Sequence, residues 1–202
     1  MCPPDYYTVA YEINPWMSVK REVDHKKAVR QWNHFRETLE SLGAKIFILP
    51  PHLEYPGLVF PANAGFLYPK YEVRLWKEKS FFLSNLIGHR RPEQGIYRSF
   101  FEHLGLSTRT VPYAFEGEAD FFPCGEFYIF TYGTIRPTGF KFGWRWPPCL
   151  YQFSHRSDER NKEALQSVIG KRVLLTLRLQ DVRYYHGDTA LFSFGKKREY
   201  VL

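Results

Sequence analysis

Phe115-Glu116-Gly117-Glu118-Ala119-Asp120-Phe121 is one of three short polar signatures that decide how this chain is built. The others are Val59-Phe60-Pro61-Ala62-Asn63-Ala64-Gly65-Phe66 upstream and Tyr184-Tyr185-His186-Gly187-Asp188-Thr189 downstream. Each follows the same run-up: an amphipathic helical stretch ending in Gly, then a short apolar strand. The helix-ending glycines Gly43, Gly105 and Gly170 lie 62 and 65 residues apart. A repeated supersecondary unit puts equivalent positions at equivalent points in space. The repeat therefore predicts that an Asn, an acidic cluster and a His–Asp pair converge on one centre.

The first helix is the clearest. Ala28, Trp32, Phe35, Leu39 and Leu42 form one stripe of a 3.6-residue period. Asp24 is its expected N-cap and Gly43 its left-handed terminator. The stretch 44–49 reads as a short buried strand closed by Pro50-Pro51. In the second unit Pro92 stands near a helix start, with Tyr97, Phe100, Phe101 and Leu104 inside, and 108–111 follows as a strand. In the third, Ser157 or Asp158 caps a helix carrying Ala164, Leu165, Val168 and Ile169, and 173–179 is the strand. Apolar arms at 66–75, 121–132 and 190–202 follow the signatures. The segment 136–153, rich in Pro, Gly and aromatics, reads as a long binding loop. Strands alternating with helices indicate an α/β fold with blades about an axis.

Composition removes several classes of function. The 202 residues are 44% hydrophobic and 24% charged, as in an ordinary globular chain, and include 18 Phe, 14 Tyr and 5 Trp. No apolar run approaches the ~20 residues that a membrane span needs. Nor does the N-terminus have the pattern of a signal peptide. Cys2, Cys124 and Cys149 are an odd, scattered set without metal-site spacing, so a reducing, cytoplasmic setting is expected. The net charge of +7 is dispersed. Its densest run, Lys196-Lys197-Arg198, is too short to argue for nucleic acid, so no nucleic-acid, membrane, metal or cofactor partner is expected.

Several side chains bear on chemistry. On a strand, His186 and Asp188 would face the same side, a proton shuttle beside a cation-binding carboxylate; a structural His bonded to a neighbour is the alternative. Glu116, Glu118 and Asp120 are costly to bury among aromatics unless a cation satisfies them. Glu118 and Asp120 repeat the two-residue spacing of His186 and Asp188. Asn63 and Asn14 are polar candidates or simple turn residues. Arg90 and Arg91 precede a helix and could hold a substrate carboxylate or only face water. The chain has no P-loop, dinucleotide fingerprint or GxSxG.

These signatures, together with Met1-Cys2-Pro3-Pro4 and Tyr11-Glu12-Ile13-Asn14-Pro15-Trp16-Met17, resemble the guanidino-group modifying enzymes. That group includes the dimethylarginine dimethylaminohydrolases, glycine amidinotransferases and arginine dihydrolases. The resemblance implies a pentein fold, an α/β propeller of five ββαβ-type modules, of which about three are present here, at 1–78, 79–135 and 154–202. It also implies a substrate carrying a guanidinium group. By motif position His186 would be the proton shuttle and Asp188 a guanidinium ligand, with Asp120 grouped among the substrate-binding residues. Glu118, by alignment of the repeats, or Glu116, by the family's shorter motif, would supply the second acid. Asn14, Asn63 and Arg90 would hold the substrate, as in the dihydrolase-type subgroup. The family's nucleophile is a Cys in the last module, and none of the three cysteines here occupies a matching position.

Three expectations follow. The first is a hydrolase-like protein acting on or binding arginine or a derivative, without a recognisable nucleophile. The second is a non-catalytic module that keeps the cation pocket. The third is an interaction protein, because an open ring leaves an unpaired sheet edge for self-association or a second chain.

Overall fold

A computed structural model describes residues 1–69, 75–136, 139–141, 149–151, 153–195, 198 and 200–202, with 139–141 and 149–151 given by their backbone alone. The chain divides into two compact units, one of residues 1–12 and 17–61, the other of residues 13–16 and 62–202.

The smaller unit is organised by helix α1 (His25–Ser41). Asp24 caps it by accepting from the Lys27 amide at 2.9 Å. At the far end Gly43 takes φ +85°. There the Gly43 and Ala44 amides donate back to the carbonyls of Glu40 and Leu39, a Schellman closure that needs the left-handed residue. The stretch 44–49 is not a strand. The Met1 amine donates to the Phe47 carbonyl at 2.7 Å, the Leu49 amide donates to Met1, and only Leu49 is buried. One short neighbouring segment does not make a ladder.

The larger unit repeats one pattern twice. Strands β1 (Gly65–Tyr68) and β2 (Ser80–Leu83) pair antiparallel. Helix α2 (Glu93–His103) then crosses over to β3 (Ser107–Thr110), parallel to β2. Strands β4 (Phe121–Cys124) and β5 (Phe127–Tyr132) likewise form a hairpin. The backbone next forms a short antiparallel pair, β6 (Gly139–Lys141) and β7 (Cys149–Tyr151). Helix α3 (Lys162–Ile169) leads to β8 (Val173–Arg178), parallel to β5. A last hairpin joins β9 (Ser193–Phe194) and β10 (Tyr200–Val201).

The expected long loop at 136–153 is thus interrupted by the β6–β7 pair, because three residues on each side find antiparallel partners. The rest of that segment at 137–138, 142–148 and 152 lies outside the described residues, as do the Cys149 side chain, 70–74 of the first apolar arm and Lys196-Lys197.

The core lies between the two sheets. Phe66 and Phe82 stack at 5.0 Å, and Phe121 and Tyr128 at 5.0 Å. Leu165 and Ile169 of α3 close the same cluster. Each fully buried ring or aliphatic chain contributes about 1.5–3 kcal/mol, so this aromatic layer fixes how the sheets meet. Each signature folds into a short 3-10 turn: Pro61–Ala64 before β1, Gly117–Ala119 before β4, and Gly187–Thr189 before the last hairpin. Gly117 explains one junction. At φ +64°, a Cβ there would lie 2.6 Å from the Ala62 carbonyl and 2.7 Å from Gly65, so the second signature rests directly on the first.

Candidate functional site

The three turns gather their polar side chains in the interior of the larger unit. His186 is 6% exposed, Glu116 2% and Asp120 1%. His186 Nδ1 lies 3.1 Å from Asp120 Oδ2, and Nε2 lies 3.2 Å from Glu116 Oε2. Burial works against the charged ring, but Asp120 and Glu116 outweigh it and push the imidazole up to about 10. Burial likewise opposes the Glu116 carboxylate. His186, Arg90 and Arg156 together hold it down at about 2.

Asp120 is the fixed member. Its Oδ1 accepts from Thr131 Oγ1 at 2.7 Å and from the Gly187 amide at 2.9 Å, while Oδ2 accepts from Ser157 Oγ at 2.6 Å. A Cβ on Gly187 would meet Thr131 Oγ1 at 2.3 Å, so this approach needs glycine. With its oxygens so engaged, Asp120 orients the imidazole and has little capacity left for a ligand.

Arg90 and Asn63 close the other side. Arg90 donates from Nε and Nη2 to Glu93, at 2.8 Å for Nη2, and from Nη1 to Asn63 Oδ1 at 2.8 Å. Its Nη1 also lies 3.6 Å from Glu116 Oε2. Asn63 Nδ2 is 3.5 Å from His186 Nε2. Burial pushes the Glu93 carboxyl up, with Glu116 adding to it and Arg90 opposing. Arg156 reaches Glu116 Oε1 with Nε at 3.7 Å, donates to the Ile13 carbonyl, and stands over the Tyr185 ring at 5.7 Å.

The sequence-derived residues are sorted by this geometry. His186, Glu116, Asp120, Asn63 and Arg90 are brought together. Between the two acids left open by the motif, Glu116 is the one beside His186; Glu118 is half-buried and outside that cluster. Asp188 does not share a strand face with His186, because 187–189 is a 3-10 turn rather than strand. Asp188 is exposed, yet its side chain is still sensed by the cluster: partial burial of the carboxyl, Asp120 and Glu116 raise it, and His186 opposes. Asn14 is buried, and its Oδ1 accepts from the Trp16 amide at 3.0 Å, a turn-making bond. Glu93, Thr131, Ser157 and Arg156 were not among the sequence candidates. Arg90 and Glu93 stand one helical turn apart, the signal for the first. Of the two cap candidates, Asp158 caps the following turn by accepting from the Arg160 amide, while Ser157 donates to Asp120.

No family model matches the chain. It is 30% identical over 191 residues to the N(G),N(G)-dimethylarginine dimethylaminohydrolase of Mycobacterium tuberculosis, covering 95% of this chain and 53% of that one. It is 29% identical over 194 residues to the bifunctional arginine dihydrolase/ornithine cyclodeaminase ArgZ of Synechocystis, covering 94% of this chain and 23% of ArgZ. The crystal structure of the ArgZ N-terminal domain bound to substrate aligns over all of this chain and 64% of its own, with a TM-score of 0.74 at 26% identity.

The chain resembles the guanidino-group modifying enzymes in sequence and in fold.

It has an α/β fold similar to that of the ArgZ domain, and it spans about half the length, or less, of these curated relatives. No helix among the described residues is long and apolar enough to cross a membrane.

Proposed function

We propose that this chain binds the guanidinium group of arginine or an arginine derivative beside His186 and handles a proton there, as part of a guanidino-modifying hydrolase site. The observation that carries the reading is His186 held between the buried acids Glu116 and Asp120, with the exposed Asp188 two residues on. Asp120 and Glu116 add their negative charge against the Asp188 carboxyl, which is raised. Glu93 offsets Arg90, Arg156 faces Glu116, and His186 is shared by Glu116 and Asp120. Asp188 is left as the surplus negative charge, and a planar cation placed against it would relieve the repulsion. The substrate-bound ArgZ domain, described as an arginine dihydrolase, makes arginine the natural first ligand.

The chemistry follows from the charges. His186 starts as an imidazolium held by two acids, so it can deliver a proton. A guanidinium arriving next to it would lower its proton affinity and prime that transfer. Carbon attack in this family's chemistry belongs to a thiolate. Cys2 and Cys124 are buried, Cys124 packs with Phe122 and Ile129, and burial pushes its thiol up. The reading therefore assigns this chain binding and proton transfer, with no nucleophile named.

The fold reading that goes with it is part of an α/β propeller, about three of five modules, in a cytoplasmic setting. The blades would begin with their hairpins, β1–β2 and β4–β5, which shifts the frame from 1–78, 79–135 and 154–202. Isothermal titration tests the ligand. L-arginine should bind, with the neutral isostere L-citrulline and the Asp188→Asn variant each weaker by roughly tenfold or more. Equal binding of arginine and citrulline, or no arginine binding by the wild type, would overturn the reading.

A further inference from the structure

The two ring nitrogens of His186 are surrounded differently. Nδ1 faces an acceptor, Asp120 Oδ2 at 3.1 Å. Nε2 faces an acceptor and a donor, Glu116 Oε2 at 3.2 Å and Asn63 Nδ2 at 3.5 Å. The orientation of the Asn63 amide follows from Arg90, whose side chain can only donate and whose Nη1 lies 2.8 Å from Oδ1. The amide NH2 is therefore the part turned to the ring. Nε2 thus finds a partner in either protonation state, Glu116 when it carries a hydrogen and Asn63 when it does not. Nδ1 is bonded to Asp120 only while it carries one.

Ser157 decides what Asp120 can offer the ring. Its side chain is fully buried. Its Oγ accepts from the Glu116 amide at 3.3 Å and lies 2.6 Å from Asp120 Oδ2. A hydroxyl has one hydrogen, and with a donor on its other side that hydrogen goes to Asp120. The separation of 2.6 Å is that of a hydroxyl on a charged carboxylate. Thr131 and the Gly187 amide donate to Oδ1. Both oxygens of Asp120 thus already receive hydrogens, and Oδ2 meets His186 as an acceptor. One hydroxyl ties the backbone of Glu116 to the carboxylate of Asp120, the two acids that hold the ring.

We propose that Ser157 is a positioning residue for His186: by committing its hydrogen to Asp120 Oδ2 it reserves Nδ1 as a standing donor and leaves Nε2 as the nitrogen that exchanges a proton with the ligand. The inference rests on the reading that His186 handles a proton. In the step itself the Nε2–H bond breaks, its electron pair stays on Nε2, and the proton passes to a basic atom of the bound molecule. Asn63 then donates to the bared nitrogen. Ser157 also draws charge from Oδ2 that would otherwise hold the imidazolium, and so eases release of the proton.

Nitrogen-15 NMR of the full chain without ligand tests this, with Ser157→Ala removing the hydroxyl and Ser157→Thr keeping it. Circular dichroism melting checks that each variant folds. As the wild-type ring loses its proton, Nε2 should become the bare nitrogen and Nδ1 should stay protonated. In Ser157→Ala the ring titration should move to alkaline by about half a pH unit or more, since Asp120 then turns more of its charge to the ring. Ser157→Thr should titrate with the wild type. A proton lost from Nδ1 instead of Nε2 would overturn the proposal. So would a folded Ser157→Ala whose ring titrates with the wild type or at lower pH, or a folded Ser157→Thr that moves as far as Ser157→Ala. A wild-type ring titrating near 6.5 would sink the proton-handling reading as well, whereas the other adverse results in a ring titrating near 10 sink this inference alone.

Discussion

Asp120 Oδ2 stands 3.1 Å from His186 Nδ1, joining residues 66 apart in the chain at a point where both are buried. Because Asp120 is also held by Thr131, Ser157 and the Gly187 amide, it cannot follow the ring if the ring moves. Replacing Asp120 by Asn removes one of the two charges that outweigh burial at His186. The imidazole titration, followed by NMR, should fall from about 10 toward its ordinary 6.5. An unchanged titration would mean that Asp120 is a structural anchor alone.

The two acids of the second signature should separate cleanly. Glu116 lies 3.2 Å from His186, whereas Glu118 is half-buried and forms no ion pair with that ring. Glu116→Gln should weaken L-arginine binding by roughly tenfold or more, since a buried charged partner is removed. Glu118→Gln should alter binding less than about threefold, because Glu118 makes no ion pair with His186. The reverse order would restore the alignment of the repeats as the better guide.

Stability should peak in mildly acid solution. The raised His186 contributes fully below 6.5, and that contribution is lost as pH rises through about 10. The depressed Glu116 contributes above 4.5, and that contribution is lost as pH falls through about 2. Asp188 and Glu93, whose carboxyls are raised, act in the opposite sense and soften the acid limb. Thermal melting should therefore be highest between about pH 4.5 and 6.5 and decline on both sides, with a smaller alkaline decline in His186→Gln. A melting temperature flat from pH 5 to 10 would contradict these charges.

The junction between the first two signatures should tolerate no side chain. Gly117→Ala must place a methyl group 2.6 Å from the Ala62 carbonyl at a left-handed backbone position. It should cost about 2 kcal/mol or more in urea unfolding, from overpacking and strain together. A loss under about 0.5 kcal/mol would show that the two turns do not rest on one another.

How far the sequence carries this fold can be read from particular residues. Gly43, Gly105 and Gly170 all adopt positive φ at helix ends, as their spacing implied, and local chemistry alone dictates such a cap. The same chemistry could not reveal that 44–49 has too few partners to form a strand, because pairing depends on distant chain. For the same reason the HxD spacing at 186–188 misled: two-residue periodicity has meaning only on a strand, and Gly187 permits a turn. Nothing in the neighbours of Arg156 shows that it reaches Glu116, 40 residues upstream. Thr131, Ser157 and Gly187 come from three other segments to bond Asp120, which its own motif does not show. Charge partners of that kind become visible only once the chain is folded.

The most direct test of the account is an NMR titration of the His186 ring with and without L-arginine. The ring should titrate near 10 when free and at a lower pH when arginine is present, because the bound guanidinium adds a like charge beside it. A ring that titrates near 6.5, with no response to saturating arginine, would contradict it.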